Sequence, residues 1–303
     1  MKKVFSVLLV STLTILALSG CQKSTSGLKG AVKIDGSSTV YPISEAVGEE
    51  FQKENPGVRV TVGKSGTGGG FEKFVASEID ITDASRTIED DEKLLASKNG
   101  IEYIELEVAY DGLSIVVNKN NNFVKKLTVG ELKKIWEPKS KVKNWSDVRK
   151  SWPSEAINLY GPGTDSGTFD YFTDVINGEE GASRSDYTAS EEDNVLVQGV
   201  SQDKNGLGYF GYAYFVENKD KLNLVGVDSG KGAVEPSKET IQSNEYTPLS
   251  RPLYIYVSKK SLKKPEVAAF IKYYLEIGKE LVADVGYIKA PNKVYEEGLK
   301  KIE

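Results

Sequence analysis

Ile157-Asn158-Leu159-Tyr160-Gly161-Pro162-Gly163-Thr164-Asp165-Ser166-Gly167-Thr168-Phe169 passes from a β-patterned run through a turn-forming stretch and straight into a helical one. Phe169, Phe172 and Ile176 then fall on one face of that helix. A helix start offers unpaired N–H groups and a partial positive charge, Ser and Thr add hydroxyls, and Gly lets the backbone come close to a ligand. Working outward, three more loops have this layout: Gly36-Ser37-Ser38-Thr39, Ser65-Gly66-Thr67-Gly68-Gly69-Gly70 and Ala84-Ser85-Arg86-Thr87. Four such loops read as the wall of an oxyanion site.

The elements around these loops alternate strand and helix. Ala31–Ile34, Val58–Val62, Ile79–Thr82 and Leu113–Asn118 are predicted strands, with a helix over 41–55 carrying Ile43, Ala46, Val47 and Phe51. A second unit begins near Asn118. Thr128-Val129-Gly130-Glu131 is a capping box opening a helix through Leu132, Ile135 and Trp136. Gly206–Tyr212 reads as a strand with a tight turn and Arg251–Val257 as a strong strand. A helix over about 265–282 has Val267, Phe270, Ile271, Tyr274 and Leu275 inward. The pattern is α/β, with mixed, largely parallel sheets and helices on both faces. Ligands in such sheets sit at the C-terminal ends of strands, where all four loops fall.

Composition narrows the chemistry. The chain holds 303 residues, no histidine and one cysteine, Cys21. Ser-His-Asp triads, Cys-His dyads, disulfides and Cys-based zinc sites cannot be built, and neither a metal nor a cofactor is expected. Met1-Lys2-Lys3 and the apolar run 4–18 read as a signal peptide (residues 1–20), too short for a comfortable membrane span. Leu18-Ser19-Gly20-Cys21 has the form of a lipobox, which makes Cys21 the lipidated first residue of the mature chain and 21–30 a flexible tether. The alternative is an ordinary signal peptide with an incidental cysteine. Removing residues 1–20 leaves 37 basic residues against 44 acidic, a net charge of −7. An acidic chain without aromatic-basic stripes is a poor nucleic-acid partner, and it must attract any anion locally.

Each loop has a plainer reading. Ser37, Ser38 and Thr39 suit helix caps, and Arg86 suits a surface ion pair with Glu89 or Asp90. Gly63-Lys64-Ser65 has the end of a P-loop but Val58 where the P-loop needs glycine. A serine hydrolase would need Ser166 or Ser65 with a lysine such as Lys64.

Taken together, Gly36-Ser37-Ser38-Thr39-Val40-Tyr41-Pro42, the Ser65 turn, Asp83-Ala84-Ser85-Arg86 and Asp165-Ser166-Gly167-Thr168-Phe169 resemble the PstS phosphate-binding lipoproteins of bacterial ABC importers. Asn194-Val195-Leu196-Val197-Gln198-Gly199-Val200 and Leu207-Gly208-Tyr209-Phe210 are also similar to that family, in family order from about Val32 to Leu281. The resemblance implies a two-lobed periplasmic-binding-protein fold of type II, each lobe a mixed sheet flanked by helices, with the ligand cleft between lobes. Lobe I would comprise 31–113 and 254–303 and the inserted lobe II 114–253, with crossings near Ala109–Val117 and Ser250–Tyr256. It further implies phosphate contacts from Ser38, Thr39, Ser65, Ser85, Ser166, Gly167 and Thr168. Gly66, Arg86 and Asp165 complete the candidate set. Some members carry an arginine four residues before the Ser-Gly-Thr serine, where this chain has Pro162, and an aspartate where it has Ser85. Arg86 is the expected substitute for the positive charge. A carboxylate that accepts the HPO4²⁻ proton would exclude sulfate, and Asp165, with Asp83 behind it, is the candidate for that role.

The expected protein is a monomeric, lipid-anchored extracytoplasmic receptor that binds inorganic phosphate, delivers it to ABC permease transmembrane subunits and performs no chemistry. Sulfate or molybdate is the alternative ligand, and lobe closure would report through Trp136, Trp145 and Trp152.

Overall fold

The computed structural model describes residues 27–164, 166–190 and 192–303. The signal peptide, Cys21 and Asp165 lie outside the described residues, as does most of the tether.

The strand Gly30–Gly36 buries Val32, Ile34 and Gly36 on one face and leaves Ala31 and Lys33 outward, as a period of two requires. It pairs in parallel with Val58–Val62 and with Ile81–Ala84. The helix Tyr41–Glu54 has Pro42 in its first turn and crosses between the first two strands. Ile43, Val47 and Phe51 from this helix meet Val267, Phe270, Ile271 and Tyr274 from the helix Pro265–Glu276. Both pack on Val32, Ile34, Ile81 and Ile255 of the sheet. Each such fully buried side chain contributes about 1.5–3 kcal/mol.

Two strands carry the chain from this core to the next. Tyr103–Asn118 runs sixteen residues. Its first ten residues pair antiparallel with Ser250–Ser258, and Leu113–Val117 pair antiparallel with Gly206–Gly211. Gly206–Gly211 is followed outward by Asn158–Pro162 and Thr188–Ser190, both in parallel. Accordingly Leu106, Val108 and Ala109 lie in the first core, whereas Leu113, Ile115 and Val117 lie in the second. The pairing of the two long strands slips at Leu253/Tyr254, a bulge that adds local twist where the chain passes between cores. The result is a mixed α/β, two-lobed fold with a curled sheet and flanking helices.

The second core is aromatic. Phe172 stacks on Tyr209 at 3.8 Å between ring centroids, and Trp136 meets Tyr209 edge-on at 4.9 Å. This packing fixes the helix Gly167–Phe172, so its N-terminal end stays at the cleft. Thr128 caps the helix Val129–Trp136 as expected: its hydroxyl accepts from the Glu131 N–H, and the Glu131 carboxylate accepts from the Thr128 N–H.

Several boundaries differ from the sequence reading. The strand expected from Leu113 starts at Tyr103, because the segment 103–112 gains a partner in Ser250–Ser258 that periodicity cannot show. The strand expected over 79–82 is Ile81–Ala84. Gly206–Gly211 leads into a short helix, Tyr212–Glu217, in place of a tight turn. The last long helix ends at Glu276 and is followed by a 3-10 turn, Gly278–Glu280.

Candidate anion-binding site

The four loops meet at the junction of the lobes. A cavity of about 690 Å³ is lined from the first lobe by Ser37, Ser38, Thr39, the segment 65–69, Ser85, Arg86 and Thr87. From the other side come Asp170, Tyr171, Asp174, Val175 and Glu180, with Arg251, Pro252 and Tyr254 from the returning strand. Ser166, Gly167 and Thr168 line an adjoining hollow of about 300 Å³, which shares Ser38 with the main cavity. Thus Ser38, Thr39, Ser65, Gly66, Ser85 and Arg86 are brought together, and the Ser-Gly-Thr loop touches them through Thr39.

Local geometry sorts the hydroxyls. Ser37 is the capping residue at the first helix: its Oγ accepts from the N–H groups of Thr39 (3.2 Å) and Val40 (3.4 Å). Ser38 is therefore free of that duty and donates across the cleft to Asp170 Oδ2 at 3.1 Å. Thr39 Oγ1 donates to the Gly167 carbonyl at 3.3 Å and accepts from Arg251 Nη2 at 2.8 Å. Ser166 caps its own helix, accepting from Thr168 N–H at 3.2 Å.

Asp35 holds the Ser65 loop. Its Oδ1 accepts from the Ser65 N–H (2.9 Å) and Ser65 Oγ (2.8 Å), and Lys73 pairs with its other oxygen. Burial pushes the Asp35 carboxyl up, but Lys73 and these N–H and O–H donors outweigh it and hold the group below its usual range. The helix after this loop begins at Gly66, so the glycines read as a turn form its first turns. Gly70 is needed for contact: a Cβ there would sit 2.4 Å from Thr82 Oγ1 and 2.5 Å from the Gly36 Cα. Thr67 from the same turn fixes Ser85, accepting from its N–H at 3.2 Å with the two hydroxyls 3.1 Å apart. Lys64 lies 5.8 Å over the Tyr41 ring, and Ser65 donates to Asp35, so no Ser-Lys pair forms here.

Two charged residues sit otherwise than expected. Arg86 reaches the cavity wall, but both its Nη atoms donate to Glu92 at 2.8 Å and its Nε lies 3.1 Å from Glu89. Glu92 is the N3 residue of the helix Asp90–Lys98, held in place by its capping box. Asp83 is fully buried and faces away from the cavity, accepting from Ser44 Oγ at 2.9 Å. Burial, offset only in part by Ser44 and aided by the Asp35 charge, pushes its carboxyl up to about 8. Its backbone carbonyl accepts from the Ser37 N–H at 2.9 Å, so it supports the first loop without facing a ligand.

Sequence reasoning passed over Arg251. It was placed on the correct strand, but nothing nearby in sequence marks it, since Thr39 lies 212 positions away. The Trp expectation also changes. Trp136 and Trp145 are sealed in the second core, and Trp152 packs under Arg149; none lines the cavity.

Comparison with known proteins places the chain in a family. The PBP superfamily domain covers residues 22–276. Phosphate-binding protein PstS of Staphylococcus haemolyticus is 42% identical over 280 residues, spanning 91% of this chain and 86% of that protein. The chain belongs to the PstS family. Protein SphX of Synechococcus elongatus, 49% identical over 276 residues, covers 90% of this PstS homologue and is itself covered to 81%. A solved structure of a possible phosphate binding protein from Planctomyces limnophilus is 55% identical. It superposes with a TM-score of 0.88 over 91% of this PstS homologue and 98% of that chain. The homologues of this PstS-family chain are substrate receptors and not enzymes.

Proposed function

We propose that this chain captures inorganic phosphate between its two lobes, outside the cytoplasm and anchored by a lipid on Cys21, and delivers it to the transmembrane subunits of an ABC importer. The observation that carries the reading is the 690 Å³ cavity at the lobe junction, walled by Ser38, Thr39, Ser65, Ser85 and two arginines. The strands Tyr103–Asn118 and Ser250–Ser258 serve as the hinge. The lobe boundaries then fall near 113 and 253, and the receptor acts as a monomer.

No bond is made or broken. Phosphate enters between separated lobes, and contacts made only in the closed state draw them together. Hydroxyls that donate to protein acceptors in this structure, Ser38 to Asp170 and Ser65 to Asp35, turn toward the anion as it binds. Ser166, Gly167 and Thr168 approach from the second lobe. Charge-assisted hydrogen bonds contribute about 1.5–3 kcal/mol each, and several of them, less ordering costs, give a dissociation constant on the order of 1 μM or tighter. The carboxylates of Asp170 and Glu180 on the wall favour an anion that still carries a proton. Burial pushes Glu180 upward, reinforced by Asp170 and Asp174, and sulfate has no proton to give it.

Calorimetric titration of anion-stripped protein with phosphate and then sulfate at neutral pH tests this reading. Micromolar or tighter phosphate binding with sulfate at least a hundredfold weaker is expected. Equal binding of both anions would reassign the receptor to another oxyanion.

A further inference from the structure

Two cations line the cavity among the described residues, and they are in opposite states. Arg86 spends both terminal nitrogens on Glu92 and its Nε on Glu89. Arg251 has one donor engaged, to Thr39 Oγ1 at 2.8 Å. Its Nε is buried and makes no hydrogen bond, only an ion pair at 3.5 Å with the equally buried Asp111 Oδ2. The guanidinium carbon lies 3.5 Å from the centroid of the Tyr171 ring. Tyr171 is in turn held by a 2.6 Å hydrogen bond from its hydroxyl to the Pro248 carbonyl.

A guanidinium carries five N–H donors in a planar fork suited to tetrahedral oxyanions. Burying a guanidinium is costly unless charge and hydrogen bonds complete it, and Asp111 supplies an ion pair to Nε without a hydrogen bond. Arg251 is also placed where three bodies meet. It stands on the strand returning between lobes, directly across from Asp111 on the outgoing strand. Thr39 belongs to the first-lobe loop and Tyr171 to the second-lobe helix. Tyr171 lies against the guanidinium and Asp111 beside its Nε, and Arg251 lines the cavity.

Resting on the phosphate-receptor reading, we propose that Arg251 is the cation that binds the anion. It replaces both the arginine missing at Pro162 and Arg86, and it engages the anion only when Thr39 and Tyr171 are brought together. Closure and charge neutralisation are then one event.

The test is phosphate titration of the anion-stripped wild-type protein and its Arg251→Gln, Arg251→Lys and Arg86→Ala variants, with thermal unfolding of each. Alongside, spectra of arginine-labelled wild type are followed as inorganic phosphate is added. Arg251→Gln is expected to weaken binding at least a hundredfold and Arg251→Lys to fall between it and wild type. Arg86→Ala is expected to stay within tenfold, and the Arg251 guanidinium signals to shift on saturation. Wild-type-like affinity in Arg251→Gln, within threefold, overturns the assignment alone. Where that variant fails to fold, Arg251 signals that do not move at saturating phosphate overturn it equally. A wild type that ignores phosphate overturns the receptor reading and this assignment with it.

Discussion

Gly167 meets the Thr39 loop across the cleft with no room for a side chain, and its replacement by alanine isolates closure from everything else. A Cβ on Gly167 would lie 2.6 Å from Thr39 Oγ1, 2.7 Å from Thr39 N and 2.8 Å from Thr39 Cα. Ordinary contact begins near 3.4 Å, so the lobes must part by about 0.8 Å, and two of the three obstructing atoms are backbone that cannot rotate away. The same retreat stretches the Thr39 to Gly167 hydrogen bond from 3.3 Å to about 4.1 Å, beyond bonding range. If two anion contacts from the second lobe are lost with it, at about 1.5–3 kcal/mol each, the total is about 3–6 kcal/mol. Affinity should then fall by about two to four orders of magnitude. The separated state carries no such clash, and alanine is the better helix former, so the melting temperature should be unchanged or slightly higher. Calorimetry on stripped protein, paired with thermal unfolding, reads both quantities. A Gly167→Ala protein that folds normally and binds phosphate within threefold of wild type would refute the closure reasoning.

Further expectations follow from the charged groups. Asp83 has a carboxyl raised from 3.8 to about 8, so the folded chain keeps a proton that the unfolded chain loses between those values. Stability from this group is therefore present at low pH and lost as pH rises toward 8, by up to about 4 kcal/mol between pH 5 and pH 8. Asp83→Asn should flatten that fall in denaturant titrations at the two pH values, and an unchanged difference would dismiss the buried proton. Arg86→Ala should cost at most about 1 kcal/mol of stability, since its ion pairs are partly exposed. Arg184 is buried and donates to the carbonyls of Ile135 (2.9 Å) and Val142 (3.0 Å) and to Asp186. Arg184→Ala should destabilise by about 3 kcal/mol through the acceptors it strands, while phosphate affinity holds. Loss of affinity in the folded variant would show that the clip reaches the site.

What could be read without coordinates was local. The Thr128 box and the inward faces of the helices at 41–54 and 265–276 depend on residues three or four apart, and each stands where its spacing put it. The loops rich in Ser, Thr and Gly were likewise legible, because a strand end followed by a helix start is a local pattern. Which hydroxyl does what was not. Ser37 caps while Ser38 crosses to Asp170, 132 positions on, and only the approach of the second lobe separates those two roles.

Charge shows the division most plainly. Composition alone denied the chain histidine and a second cysteine, and so removed most catalytic chemistry from a loop that could have held a reactive serine. The family resemblance added that Pro162 stands where some members carry an arginine, and with it the need for a cation elsewhere. Arg86 was the natural reading because it sits inside a motif, but Glu92 reaches back from a helix start and saturates it. Arg251 carries no motif. Its position depends on strand register against Asp111, on the Tyr171 ring and on Thr39, contacts that exist only once two distant strands and two lobes have assembled. Sequence determines which groups are available and how each loop turns. Which of two arginines remains free to face an anion is decided by long-range packing, because burial and pairing are properties of neighbours and not of the residue itself.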